Sequence, residues 1–177
     1  RFGSGDVQWL TAGHGIVHSE MFPLVHEDAA NPLELFQIWL NLPARNKMVD
    51  PYFTMLWSER IPRQTFTDAA GRASEVVCVA GRMATLSPLA PPPNSRAADA
   101  DADVAIWTLK LAAGARWILP AAAGASTRRN LYFFKGGSIT VDAQVIHAHG
   151  AIELRGDVTV ELVAGAQECE LLLLQGK

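Results

Sequence analysis

Gly5-Asp6-Val7-Gln8-Trp9-Leu10-Thr11-Ala12-Gly13 recurs, with one extra residue, as Gly156-Asp157-Val158-Thr159-Val160-Glu161-Leu162-Val163-Ala164-Gly165. In each copy a Gly-Asp turn feeds a run of alternating apolar residues that stops at Ala-Gly, the pattern of a short strand bounded by turns. Two related β units are implied, separated by about the length of a small barrel domain. The texture between them agrees. Apolar residues alternate with period two over residues 33–40, 75–80, 104–111, 131–134 and 158–162, and no stretch holds a helical period for three turns. Gly and Pro punctuate these runs at short intervals, which predicts an all-β sandwich or barrel. Residues 87–103 break the pattern with Pro88, Pro91, Pro92 and Pro93 among Ala and Asp, and are expected to form a mobile surface loop without a buried face.

Bulk properties narrow the function. The 177 residues are 49% hydrophobic, enough for a sizeable core. The net charge of −3 arises from 15 basic and 18 acidic residues scattered along the chain, so no basic stripe exists to bind nucleic-acid phosphates directly. The longest apolar runs fall far short of the ~20 residues needed to span a bilayer. The N-terminus lacks a basic-then-apolar signal pattern, and a cytoplasmic monomer without membrane contact is expected. Cys78 and Cys169 each lie in an alternating run and outside any CxxC, which reads as two buried free thiols.

The chemistry concentrates near the first repeat. His18 and Glu20 are two residues apart, so on a strand both side chains emerge on one face, where an imidazole nitrogen and a carboxylate oxygen can converge on one cation. In isolation, His-x-Glu is more often a strand histidine beside a solvent-facing acid. Its context changes that reading. Gly5, the Thr11-Ala12-Gly13 turn and His18 track the second cupin motif, with Thr in place of Pro and a slightly longer spacing to the His. Residues 5–20, Gly-Asp-Val-Gln-Trp-Leu-Thr-Ala-Gly-His-Gly-Ile-Val-His-Ser-Glu, resemble the signature of the pirin family, and Gln37-Ile38-Trp39-Leu40-Asn41-Leu42-Pro43 resembles its next block. Looser similarity continues through Asn94-Ser95, residues 131–134 and residues 172–176.

That resemblance implies two cupin-type β-barrels (double-stranded β-helices, or jelly rolls), the first incomplete. Residues 1–60 would be the remainder of an N-terminal metal-binding barrel, and residues 61–177 a metal-free C-terminal barrel. It further implies a site of three His and one Glu holding iron or another divalent first-row metal, with His18 and Glu20 as metal ligands pointing into the first barrel. Glu20 would also be the catalytic base. The other two His would come from a His-x-His on an earlier strand, and none precedes Gly5. The chain is therefore expected to be a fragment lacking the first half of that barrel and a C-terminal tail. The implied activity is dioxygenation of a small aromatic substrate, a flavonol such as quercetin. The alternative is a metal-dependent, redox-sensing regulator that binds a transcription factor or an enzyme as its protein partner.

Other patterns carry less. His147-Ala148-His149 offers two imidazoles on one strand face, but it sits too close to the Gly156 turn for the cupin position, and is expected on a surface hairpin. Asp99-Ala100-Asp101-Ala102-Asp103 starts like an EF-hand loop, yet Val104 occupies its sixth position and Lys110 its twelfth, so a solvated loop is expected. His14 and His26 flank the ligand pair, and His14 is expected at an exposed turn rather than behind the ligands or in the pocket. Trp9, Phe36 and Trp39 are expected in the core.

Overall fold

The computed structural model describes residues 3–83, 86–147 and 149–177. Outside these fall the first two residues of the expected N-terminal unit and, in the expected C-terminal unit, residues 84 and 85 and Ala148, the centre of the His-x-His. Twelve strands are found among the described residues: β1 (Val7–Thr11), β2 (Tyr52–Leu56), β3 (Arg63–Thr67), β4 (Ala73–Ala80), β5 (Ala105–Leu111), β6 (Arg116–Leu119), β7 (Arg128–Lys135), β8 (Ile139–Val141), β9 (Gln144–Ile146), β10 (Gly150–Leu154), β11 (Val160–Ala164) and β12 (Cys169–Gly176). The only helical elements among them are three-residue 3-10 turns. No helix among the described residues is long and apolar enough to cross a membrane.

Three antiparallel sheets result: a β1-β2 ribbon, a six-stranded sheet in the order β10-β7-β12-β5-β4-β3, and a four-stranded sheet in the order β6-β11-β8-β9. Strand parity explains the main core. On β5, Ala105, Trp107, Leu109 and Leu111 face the four-stranded sheet, as do Leu131 and Phe133 of β7 and Leu171 and Leu173 of β12, meeting Trp117, Leu119, Ile139 and Leu162. Cys78 and Cys169 are buried, free and part of this core, and burial pushes the Cys78 thiol up to about 11.

The six-stranded sheet is apolar on its other face too. Ile106, Leu172, Val79 and the half-buried Tyr132, Phe134 and Leu174 form a second cluster with Leu56, Ile61, Val7, Trp9 and Ile38. Burial on both faces is why residues 171–174 read as an unbroken Leu run rather than an alternation. The N-terminal third of the chain thus packs against the back of the C-terminal sandwich.

Two expectations need correction. Residues 33–40 form no strand, because no strand among the described residues pairs with them and an alternating run without a ladder partner is not a β-strand. Part of the period survives. Ile38, Leu40 and Leu42 are half-buried while Trp39 between them is 88% exposed, so Trp39 is not a core residue. Phe36 is also partly exposed and packs edge-on against Phe134 with ring centroids 4.7 Å apart.

Residues 87–103 contain no strand, as expected, but they do have a buried side. Ser95 and Ala102 are buried, Ser95 caps the turn Arg96–Ala98, and Asp99 caps the turn Ala100–Ala102. Asn46 Nδ2 donates to the Asn94 carbonyl at 2.9 Å and Arg45 pairs with Asp99 at 3.2 Å, fastening the loop to the N-terminal segment. Asp103 is not a solvated acid. It sits half-buried at a left-handed φ of 49°, and its carboxylate accepts from Thr127 Oγ1, Ala123 N and Gln175 Nε2.

Candidate metal centre

The Gly-Asp turn before β1 is fixed by its aspartate. Asp6 accepts from Ser58 N at 2.9 Å and Gly3 N at 3.0 Å, and these two amides, Ser58 foremost, hold its carboxyl below the usual range. At the other end of β1 the chain turns at Gly13, where φ is +54° and His14 N donates to the Val49 carbonyl beside β2. A side chain at Gly13 would place Cβ 2.0 Å from the Val49 oxygen, so the tight approach of the backbone to β2 requires glycine. This turn launches the chain into the irregular segment that carries His18 and Glu20.

His18 and Glu20 lie in that segment, not on a strand. They nevertheless come together: His18 Nδ1 and Glu20 Oε1 are 3.9 Å apart, with side chains 48% and 34% exposed. Two donors each ~2.1 Å from a first-row cation stand roughly 3 Å apart at right angles and about 4.2 Å apart when opposed. The observed spacing lies inside that range, and the neutral imidazole with a carboxylate is a donor set suited to iron, so the pair fits two positions of such a metal. Among the described residues no group of three or more His, Cys, Asp or Glu converges in a way that could complete the shell.

Of the remaining histidines, His14 and His149 have side-chain partners elsewhere. His14 Nε2 lies 3.3 Å from Asp50 Oδ1 at an exposed turn. The loop after Glu20 is closed by Asn31, whose Oδ1 accepts from Val25 N and His26 N while its Nδ2 donates to the His26 carbonyl. His147 and His149 are both exposed, and His149 rests edge-on against Phe133 with its Nε2 3.3 Å from the Gly136 carbonyl.

The Pirin family profile matches residues 1–40, the stretch that holds β1, the Gly13 turn and the His18–Glu20 pair. A Pseudomonas aeruginosa protein whose name provisionally assigns it as a quercetin 2,3-dioxygenase is 32% identical over all 177 residues, which cover 57% of its own length. Human Pirin is 48% identical over 59 residues, 33% of this chain and 19% of that protein. The crystal structure of quercetin 2,3-dioxygenase from Acinetobacter baumannii superposes over 98% of this chain and 56% of its own, with a TM-score of 0.68 at 17% identity. Facing antiparallel sheets with this likeness define an all-β protein of the cupin type. Within that class the chain belongs to the pirin family. It spans about half the length of the curated relative that it matches end to end.

Proposed function

We propose that this chain carries part of the metal site of a pirin-type dioxygenase, with His18 and Glu20 as two of the ligands to iron or a similar divalent metal. The 3.9 Å approach of His18 Nδ1 to Glu20 Oε1, inside the segment matched by the family profile, is the observation that supports this reading. Bound there, iron would supply Lewis-acid and redox chemistry toward a flavonol and dioxygen. His18 would ligate through its neutral imidazole. Glu20 would ligate through one carboxylate oxygen, leaving its second as the nearest base for a substrate hydroxyl proton. The names of the Pseudomonas and Acinetobacter proteins support quercetin as the first substrate to try.

The test is iron content by elemental analysis, followed by flavonol-dependent oxygen uptake, in a chain extended to the length of the curated relatives. His18→Ala and Glu20→Ala are each expected to lower iron occupancy at least tenfold, since loss of a direct ligand exceeds the ~10–100-fold cost of losing an outer-shell partner. Retention of iron by both variants, with loss in His147→Ala, would overturn the assignment. Wild-type iron content without flavonol-dependent uptake would leave the metal assignment intact and direct the search toward a protein partner.

A further inference from the structure

Strand β7 opens with two arginines that parity sends to opposite faces. Arg128 is exposed, whereas Arg129 shares the inner face with Leu131 and Phe133 and is 0% exposed. Its Nη1 donates to the Pro120 carbonyl at 2.7 Å, but Nε and Nη2 are buried and meet no hydrogen-bond partner among the described residues. Burial pulls the guanidinium below its usual range, and the charge of Asp103 opposes that. Asp103 does not cap it: its carboxylate bonds elsewhere, Oδ1 accepting from Gln175 Nε2 at 3.0 Å and Oδ2 from Thr127 Oγ1 at 2.6 Å and Ala123 N at 3.0 Å, and among the described residues Arg129 donates only to Pro120.

The orphan donors are not a random pair. Nε–H and Nη2–H point the same way along one edge of the guanidinium, and this edge matches the two oxygens of a carboxylate. Gln175 is the direct cross-strand partner of Arg129 on β12, so its side chain lies on the same face. Its Nε2 is held on Asp103, which fixes the amide orientation and leaves Oε1 buried without a partner. Two parallel donors on one residue and one acceptor on its cross-strand partner are therefore left unmet in a desolvated setting, where each unmet group is costly. A groove of about 510 Å³ lined by Thr127, Arg128, Leu154 and Gly156 adjoins the same end of β7, with Arg129 next in the chain behind its lining.

We propose that Arg129 and Gln175 form a metal-independent subsite inside the C-terminal sandwich for the carboxylate end of a small 2-hydroxy acid. The carboxylate bridges Nε and Nη2 of Arg129, the adjacent hydroxyl donates to Gln175 Oε1, and the groove at Thr127 is the way in. The site shares no residue with the His18–Glu20 pair.

Glycolate is the simplest probe, with acetate as the control lacking the hydroxyl and chloride as the control for ionic strength. A buried Arg Nε–H gives a resolved nitrogen-15 correlation, and glycolate is expected to move that of Arg129 saturably. Acetate should bind about tenfold more weakly, the worth of one hydrogen bond. Arg129→Lys keeps the charge but removes the forked edge and should abolish saturation, while Gln175→Leu should erase the preference for glycolate. An Arg129 signal that glycolate leaves unmoved, that chloride moves equally, or that shows contact only with water would overturn the proposal. These readouts need only the wild-type chain, so a variant that fails to fold does not rescue it.

Discussion

Gly13 concentrates two constraints in one position, a left-handed φ of +54° and a Cβ direction that runs into the Val49 oxygen at 2.0 Å. Neither can be relieved by a side-chain rotation, because the obstacle is backbone and the turn is held by the bond from His14 N to Val49. Gly13→Ala is therefore expected to destabilise the chain by about 1–3 kcal/mol. The loss should appear in urea unfolding and be accompanied by weaker amide protection in β1 and β2. An Ala variant with wild-type stability would show that the turn can open away from β2. The sequence places a turn here through Thr11-Ala12-Gly13, but the opposing carbonyl belongs to Val49, just ahead of β2 and far along the chain, which the local pattern does not reveal. Arg129 was legible in principle, since it has the parity of Leu131 and Phe133; what parity could not supply was whether its fork would find a partner.

At the scale of elements, Asp68 joins parts that the strand pattern alone does not connect. It sits in the turn from β3 to β4 and accepts from the amides of Arg72, Arg116 and Ala70 as well as from Arg72 Nε, and Arg116 belongs to the opposite sheet. These bonds, the Arg72 amide foremost, lower its carboxyl from the ordinary 3.8 to about 2. A carboxyl lowered on folding stabilises the fold above its unfolded value and ceases to do so as pH falls through its folded value. Wild type should thus exceed Asp68→Asn in urea midpoint by a constant margin at neutral pH, and the margin should shrink between about pH 4 and pH 2. A pH-independent margin would mean that the contribution is steric. Element legibility followed the ladders. Residues 75–80, 104–111 and 131–134 announced β4, β5 and β7 to within a few residues, because each has a neighbour on both sides. Residues 33–40 have the same alternation and no ladder, and alternation cannot reveal whether a partner strand exists. His18 and Glu20 show the converse, since i and i+2 side chains approach one another in an extended chain even without a sheet.

For the molecule as a whole, the two clusters differ in what the N-terminal third contributes. Every buried member of the main core lies between Val76 and Leu173, whereas the second cluster joins Leu56, Val7, Trp9 and Ile38 to the back of the six-stranded sheet. The boundary expected at residue 60 can be tested against that asymmetry: removing residues 1–60 would leave both large sheets and their facing side chains in place but uncover Val79, Ile106, Leu172, Tyr132 and Phe134. Residues 61–177 expressed alone are expected to unfold cooperatively and to retain the near-ultraviolet signal of Trp107 and Trp117, both fixed in the core. The same fragment should bind a hydrophobic dye and self-associate, since a contiguous apolar patch of that kind is an association surface. The 177-residue chain under the same conditions should bind less dye at that face. If the fragment shows strand content but no near-ultraviolet signal, the back of the sheet is needed for specific packing, and the chain folds as one unit rather than two.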